Sequence, residues 1–185
     1  DQVAGDLSIP GALASEADFV AMVEAARRNH PDARLLLRTH PDTRFNKMRL
    51  GKKRGVLARL NLDDVEIVAE HCHPHALLKV VDAVYTVSSQ LGFEGLLLGK
   101  PVYCFGMPFY AGWGLTHDSK QCERRNVNVS LAQLVAAALI CYPRYLDPVL
   151  GKRCEVEEVV AIIARQQKPA PRWRRLYLVG FSLWK

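Results

Sequence analysis

Residues 85–106 read "YTVSSQLGFEGLLLGKPVYCFG", and the reading of this stretch decides the fold. A β-branched and aromatic run leads into two serines and a glutamine. A glycine-bearing apolar segment with helical character follows, closed by Gly99, and Lys100-Pro101 opens a second strand-like run. Ser88, Ser89 and Gln90 therefore fall at the carboxyl end of a strand and the start of a helix. In open α/β sheets ligands bind outside such strand ends. Free backbone N–H groups and the positive helix end attract a phosphate there, and small hydroxyl residues let it approach. Glu94 lies one turn further on, where a carboxylate can accept hydrogen bonds from ribose hydroxyls. A plainer reading uses the same residues: serine is a common N-cap, and a glutamate near a helix start suits the dipole.

Outward from this unit, strands and helices alternate. Ser15 opens a helix with Asp18 three residues on, and Phe19, Val20, Val23 and Ala26 share its inner face. That helix ends near Asn29, before His30-Pro31. Residues 34–39 (RLLLRT) and 65–70 (VEIVAE) read as short buried strands. Between them, residues 44–59 hold seven Lys or Arg and no acid, and Gly51 and Gly55 argue for a loop. Pro74 opens a short helix. Residues 107–126 read as a loop, and two further helices span about 130–142 and 156–167. The first residues, "DQVAGDLSI", look like a strand end feeding a loop. The pattern predicts an α/β fold: a Rossmann-like parallel sheet with flanking helices. The expected division is a domain over residues 1–168, then a linker and the start of a following element over 169–185.

With 185 residues, 49% hydrophobic and 24% charged, the chain can bury a core. No apolar run is long enough to span a membrane. A start at Asp1, with no leader pattern, reads as a piece of a longer protein. The five cysteines show no CxxC spacing, which argues against a disulfide framework; Cys104 and Cys141 lie in apolar runs and read as small core residues. A net charge of +6 draws anions without choosing among them.

The segments "THPD" (39–42), "GKKRGVL", residues 84–118 and "YPRYLDP" together resemble the capsule polysaccharide synthesis family, the KpsC/LipA-like retaining β-Kdo glycosyltransferases. The resemblance covers nearly the whole chain. It implies the nucleotide-binding half of a GT-B-type enzyme that takes Kdo from CMP-β-Kdo, with no further cofactor. The acceptor it implies is a lipid-linked Kdo glycolipid at the cytoplasmic face of the inner membrane. The implied partners are the remaining half of the transferase and other capsule assembly proteins, with no nucleic acid.

The resemblance implies that His40 and Pro41 contact CMP, and a histidine there can donate to phosphate or assist departure of CMP; a strand-ending His-Pro turn is the plainer alternative. The resemblance implies retention, which can proceed by two inversions through a carboxylate, and Asp6, after Gly5 in a strand-end loop, is the candidate nucleophile; a Gly-Asp turn competes. Gln2 is a candidate for orienting the donor. Lys52 and Lys53 suit a sugar carboxylate, the CMP phosphate or a lipid headgroup, or are simply solvated. Tyr110, Trp113 and Gly114 form an aromatic loop fit to stack on a sugar or base, although such rings also fill cores. His71, Cys72, His73 and His75 lack tetrahedral-site spacing, so no metal is expected. Two other classes compete with the transferase: a CMP-sugar-binding module without catalysis, and an epimerase-like sugar-nucleotide enzyme that would prefer a uridine nucleotide.

Overall fold

The computed structural model describes residues 7–38, 61–68 and 73–166. By its internal contacts the chain divides into two compact units, Asp1–Leu134 and Val135–Lys185. The boundary expected at residue 168 and the linker after it lie outside the described residues.

The first unit opens with a helical turn, α1 (Ser8–Gly11), where a loop was expected; Ile9 is buried in it. α2 (Glu16–Asn29) begins at Ser15 with a complete capping box. The Ser15 N–H donates to Asp18 Oδ2 at 2.7 Å, and Asp18 also receives Lys120 Nζ at 2.9 Å. Phe19, Met22, Val23 and Ala26 are buried. Val20, expected on this face, is 40% exposed. One residue is a 100° step on a helix, so Val20 is turned out beside Phe19 and Met22 takes the inner position. Ile9, Phe19, Met22, Val23 and Val87 form one apolar cluster, against which Leu37 and Tyr85 pack.

Burial opposes ionisation of Asp18, but Lys120 and the Ser15 amide and hydroxyl outweigh it and hold the carboxyl below its ordinary value. A depressed carboxyl contributes stability above its unfolded pKa and loses that contribution as pH falls through the folded one. We therefore expect the wild-type chain to lose stability below about pH 4. Asp18→Asn should cost roughly 1.5–3 kcal/mol at neutral pH and flatten the acid limb. Urea midpoints measured across pH 2–7 check both; an acid limb of unchanged slope in the variant would reject the assignment.

The expected strands appear at their cores, but residues 65–68 are not buried as expected: Glu66 and Ile67 are exposed. β1 (Leu35–Arg38) pairs in parallel with β2 (Val65–Val68), Leu35 opposite Val65. After α3 (Pro74–Val80), with proline in its first turn, β3 (Val84–Thr86) pairs in parallel with β4 (Val102–Cys104). The helix α4 (Leu91–Leu97) connects them and packs on both. A third strand, β5 (His117–Asp118), adds in parallel to β4, inside the stretch expected to be a loop. Two residues without β-branching carry no period-2 signal. Alternate residues face opposite sides: Val84, Thr86, Val102 and Cys104 are buried. Tyr85, Tyr103 and His117 form a cross-strand ladder on the other face, stacked at 4.4 and 4.5 Å.

α4 sits close because of its glycines. A Cβ on Gly95 would lie 3.1 Å from Val84 Cγ2 and 3.3 Å from Val102 Cγ2. A Cβ on Gly92 would lie 2.8 Å from the Tyr110 ring. The glycines of "GFEG" thus let the helix approach both the strands and a buried tyrosine.

α5 (Leu131–Val135) starts at Ser130, which exchanges hydrogen bonds with Gln133 in a second capping pair. Within the second unit, a π-helix (Ala136–Cys141) follows. None of its residues is buried, and Cys141, expected in the core, is exposed. A hairpin of β6 (Tyr145–Leu146) and β7 (Arg153–Cys154) was not anticipated. Asp147 organises its turn by accepting from the Val149 and Leu150 amides, and Gly151 takes a φ of 62°. α6 (Val156–Gln166) closes the described chain as expected.

Candidate functional site: the carboxyl end of β3

β3 runs into Val87, buried in the apolar cluster, and then into Ser88, Ser89 and Gln90. Both serines are half-buried and Gln90 is exposed at the N-cap of α4. The turn is fixed from below. The Ser89 N–H donates to Thr86 Oγ1 at 3.2 Å, and Ser89 Oγ accepts from the Leu91 N–H at 3.2 Å. The Ser89 carbonyl accepts from the Gly92 N–H at 3.2 Å and from the Tyr110 hydroxyl. The plainer capping reading of serine therefore applies to one lone pair of Ser89. The hydroxyl hydrogen stays free to donate.

Ser88, Ser89, Gln90 and Glu94 all line one cleft of about 1020 Å³, which runs beside β1 and β3. Glu94 is half-buried in its wall. Among the described residues no hydrogen bond or ion pair satisfies its carboxylate, which is free to accept from a ligand. Parallel strand ends, a half-buried acceptor and a small hydroxyl turn can hold a polar ligand that carries both hydroxyl and phosphate groups.

Tyr110 is not a stacking residue. Its ring has 0% exposure and lies among Phe93 and Phe109, so no face is open to a ligand. Burial, with Cys104 and Asp118 nearby, pushes its phenol far above the ordinary tyrosine value despite a bond to Thr86, so it serves as a hydrogen-bond donor. Trp113 is half-exposed, with its Nε1–H donating to the Phe109 carbonyl at 2.8 Å and the Arg125 guanidinium 5.4 Å from its ring centre. Gly114 is exposed at a φ of 77°.

Two residues that the sequence did not single out brace this loop. Asp118 accepts from the Gly112 N–H at 2.8 Å and the Thr116 hydroxyl at 2.6 Å. Arg125 donates to the Ala111 carbonyl at 2.7 Å and to that of Pro108. Their signal was faint: an Asp closing "GWGLTHD" and an arginine pair further on read as ordinary loop charges. Cys104 is fully buried, and burial, then Asp118, pushes its thiol up to about 12 against a weaker pull from Thr116, which rules it out as a nucleophile. His73 caps α3 by accepting from the His75 N–H at 3.3 Å. Among the described residues no group of three His, Cys, Asp or Glu is arranged to hold a metal, and no helix is long and apolar enough to cross a membrane. Gln2, Gly5, Asp6, His40, Pro41, Lys52, Lys53, His71 and Cys72 lie outside the described residues.

A family model described as capsule polysaccharide biosynthesis protein matches residues 1–145, which contain every strand of both parallel sheets and the turn at Ser88. The chain belongs to the capsule polysaccharide biosynthesis family. It is 40% identical over its whole length to the capsule polysaccharide modification protein LipA of Neisseria meningitidis serogroup B, covering 27% of that protein. It is 38% identical over 92% of its length to the lipopolysaccharide-processing protein LpsZ of Rhizobium meliloti, covering 38% of it. Among solved structures, the β-Kdo 2,4 transferase of Thermosulfurimonas dismutans KpsC superposes with a TM-score of 0.76 and 46% identity, over 86% of this chain and 49% of that one. The β-Kdo 2,7 transferase of the same KpsC gives 0.63 and 32%, over 81% and 46%. The chain thus spans between about a quarter and a half of the length of these family members. Its α/β architecture, with parallel strands and flanking helices, is that of a GT-B-like nucleotide-binding domain.

Proposed function

We propose that this chain is the donor-binding part of a retaining β-Kdo glycosyltransferase, which takes Kdo from CMP-β-Kdo and adds it to a lipid-linked acceptor of the capsule. The observation that carries the reading is the unpartnered, half-buried Glu94 carboxylate beside the Ser88–Ser89–Gln90 turn, at the carboxyl end of a parallel strand. In this reading Glu94 accepts from the ribose hydroxyls, and the serine turn donates to the phosphate. His40 and Pro41 flank the nucleotide, Lys52 and Lys53 meet negative charge on donor or membrane, and Trp113 and Gly114 border the sugar. Asp6 is the nucleophile, and Gln2 and Gly5 shape its loop. Higher identity to the 2,4 transferase than to the 2,7 transferase favours a β-2,4 linkage. The acceptor groups belong to the remaining half of the enzyme, and the basic surface suits the anionic cytoplasmic face of the inner membrane.

Calorimetric titration of the chain with CMP and UMP tests the donor reading. CMP should bind more tightly than UMP, and Glu94→Gln should weaken CMP by about tenfold, as expected for one hydrogen bond to a charged group. A preference for UMP would favour an epimerase-like enzyme instead. Transfer from CMP-Kdo by the full-length protein, absent from this chain alone, is the expected pattern. CMP binding without turnover in either would leave a binding module.

A further inference from the structure

We propose that Tyr110 is a positioning residue: from the interior it holds the Ser88–Ser89–Gln90 turn in the shape that receives the nucleotide. The inference rests on the nucleotide reading of that turn. Tyr110 comes from the aromatic loop, 21 residues along the chain from Ser89, and reaches under α4 to donate its hydroxyl to the Ser89 carbonyl. Beside it, the Thr86 side chain accepts from the Ser89 N–H. Both backbone groups of Ser89 are thus held by one buried pair. Tyr110 is 0% exposed and does not line the cleft, so it touches no ligand there.

Gly92 leaves room for this arrangement, since any side chain there would strike the tyrosine ring. The far end is anchored as well. Arg125 holds the carbonyls on both sides of the Phe109–Tyr110 pair, those of Pro108 and Ala111, and Asp118 holds the Gly112 amide. The tyrosine is therefore a strut between a braced loop and the ligand edge. Its hydroxyl has no catalytic contact. It fixes where the Ser89 hydroxyl points, and preorganisation of this kind is read in ligand affinity.

The test compares Tyr110→Phe with Val102→Ala. Phenylalanine keeps the ring and loses only the donor. Val102 is buried at the amino end of β4, away from the turn, and controls for general loss of stability. Tyr110→Phe is expected to weaken CMP binding about tenfold by calorimetry and to speed hydrogen exchange at the Ser89 and Leu91 amides. Val102→Ala, with an equal or larger drop in melting temperature, should leave CMP affinity within about twofold. Equal losses of affinity in the two variants, or wild-type affinity in Tyr110→Phe, overturn the proposal. Should the wild-type chain itself not bind CMP, the nucleotide reading fails, and the exchange measurement still decides the strut: unchanged Ser89 and Leu91 protection in Tyr110→Phe rejects it.

Discussion

Full-length protein carrying Asp6→Ala is expected to lose Kdo transfer by on the order of a thousandfold or more, while keeping CMP affinity within about threefold. The expectation follows from stereochemistry. The proposed route to retention is two displacements at the anomeric carbon. In the first, a carboxylate oxygen bonds that carbon while the bond to the CMP phosphate oxygen breaks. In the second, an acceptor hydroxyl, giving up its proton, displaces the carboxylate. Asp6 is the carboxylate proposed for this role; alanine cannot perform the first step, and the proposed cytidine and phosphate contacts are assigned to other residues. Mass spectrometry of wild-type protein with CMP-Kdo and no acceptor should show a mass increase of one Kdo unit, absent from the variant. A persisting adduct in Asp6→Ala would transfer the role to another carboxylate and leave the donor site untouched.

The second large effect is structural. Gly92→Val should cost about 3 kcal/mol or more, a considerable share of a typical domain's stability of roughly 5–15 kcal/mol. A β-carbon at Gly92 would sit 2.8 Å from Cε2 and Cζ of Tyr110. That ring has no exposed surface to swing into. The helical preference gained by replacing glycine with valine, well under about 1 kcal/mol, does not offset such a clash. Gly95→Ala meets only valine methyls at 3.1 and 3.3 Å, which shift more easily, and should be milder. Urea midpoints rank the two. If Gly92→Val unfolds at the wild-type concentration of urea, the close approach of helix and tyrosine described above is wrong.

Much of the fold could be read from residue pattern because its strands are short apolar runs bounded by strong punctuation. Val65–Val68 and Val84–Thr86 stand out as β-branched runs, and Pro74 and Ser15 mark helix starts by well-understood chemistry. What escaped was structure that tertiary contact alone creates. His117–Asp118 becomes a strand because β4 offers an open edge, and the apolar run Ala136–Cys141 forms a π-helix with no buried residue. At the site, the position of Ser88–Gln90 and the exposure of Glu94 to the cleft followed from strand–helix logic. The fate of Tyr110 did not. An aromatic ring between glycines suits a ligand platform and a core plug equally well, and burial distinguishes them.

The saturation of Ser89 has a consequence for selectivity. With its carbonyl occupied twice and its oxygen already receiving an amide, this residue turns mainly a hydrogen outward. Such a lip welcomes groups rich in lone pairs and has little to offer an ammonium or an amide N–H. Polarity, more than size, would then sort what settles at the strand tip, so phosphoryl oxygens gain hold where amines of similar bulk do not.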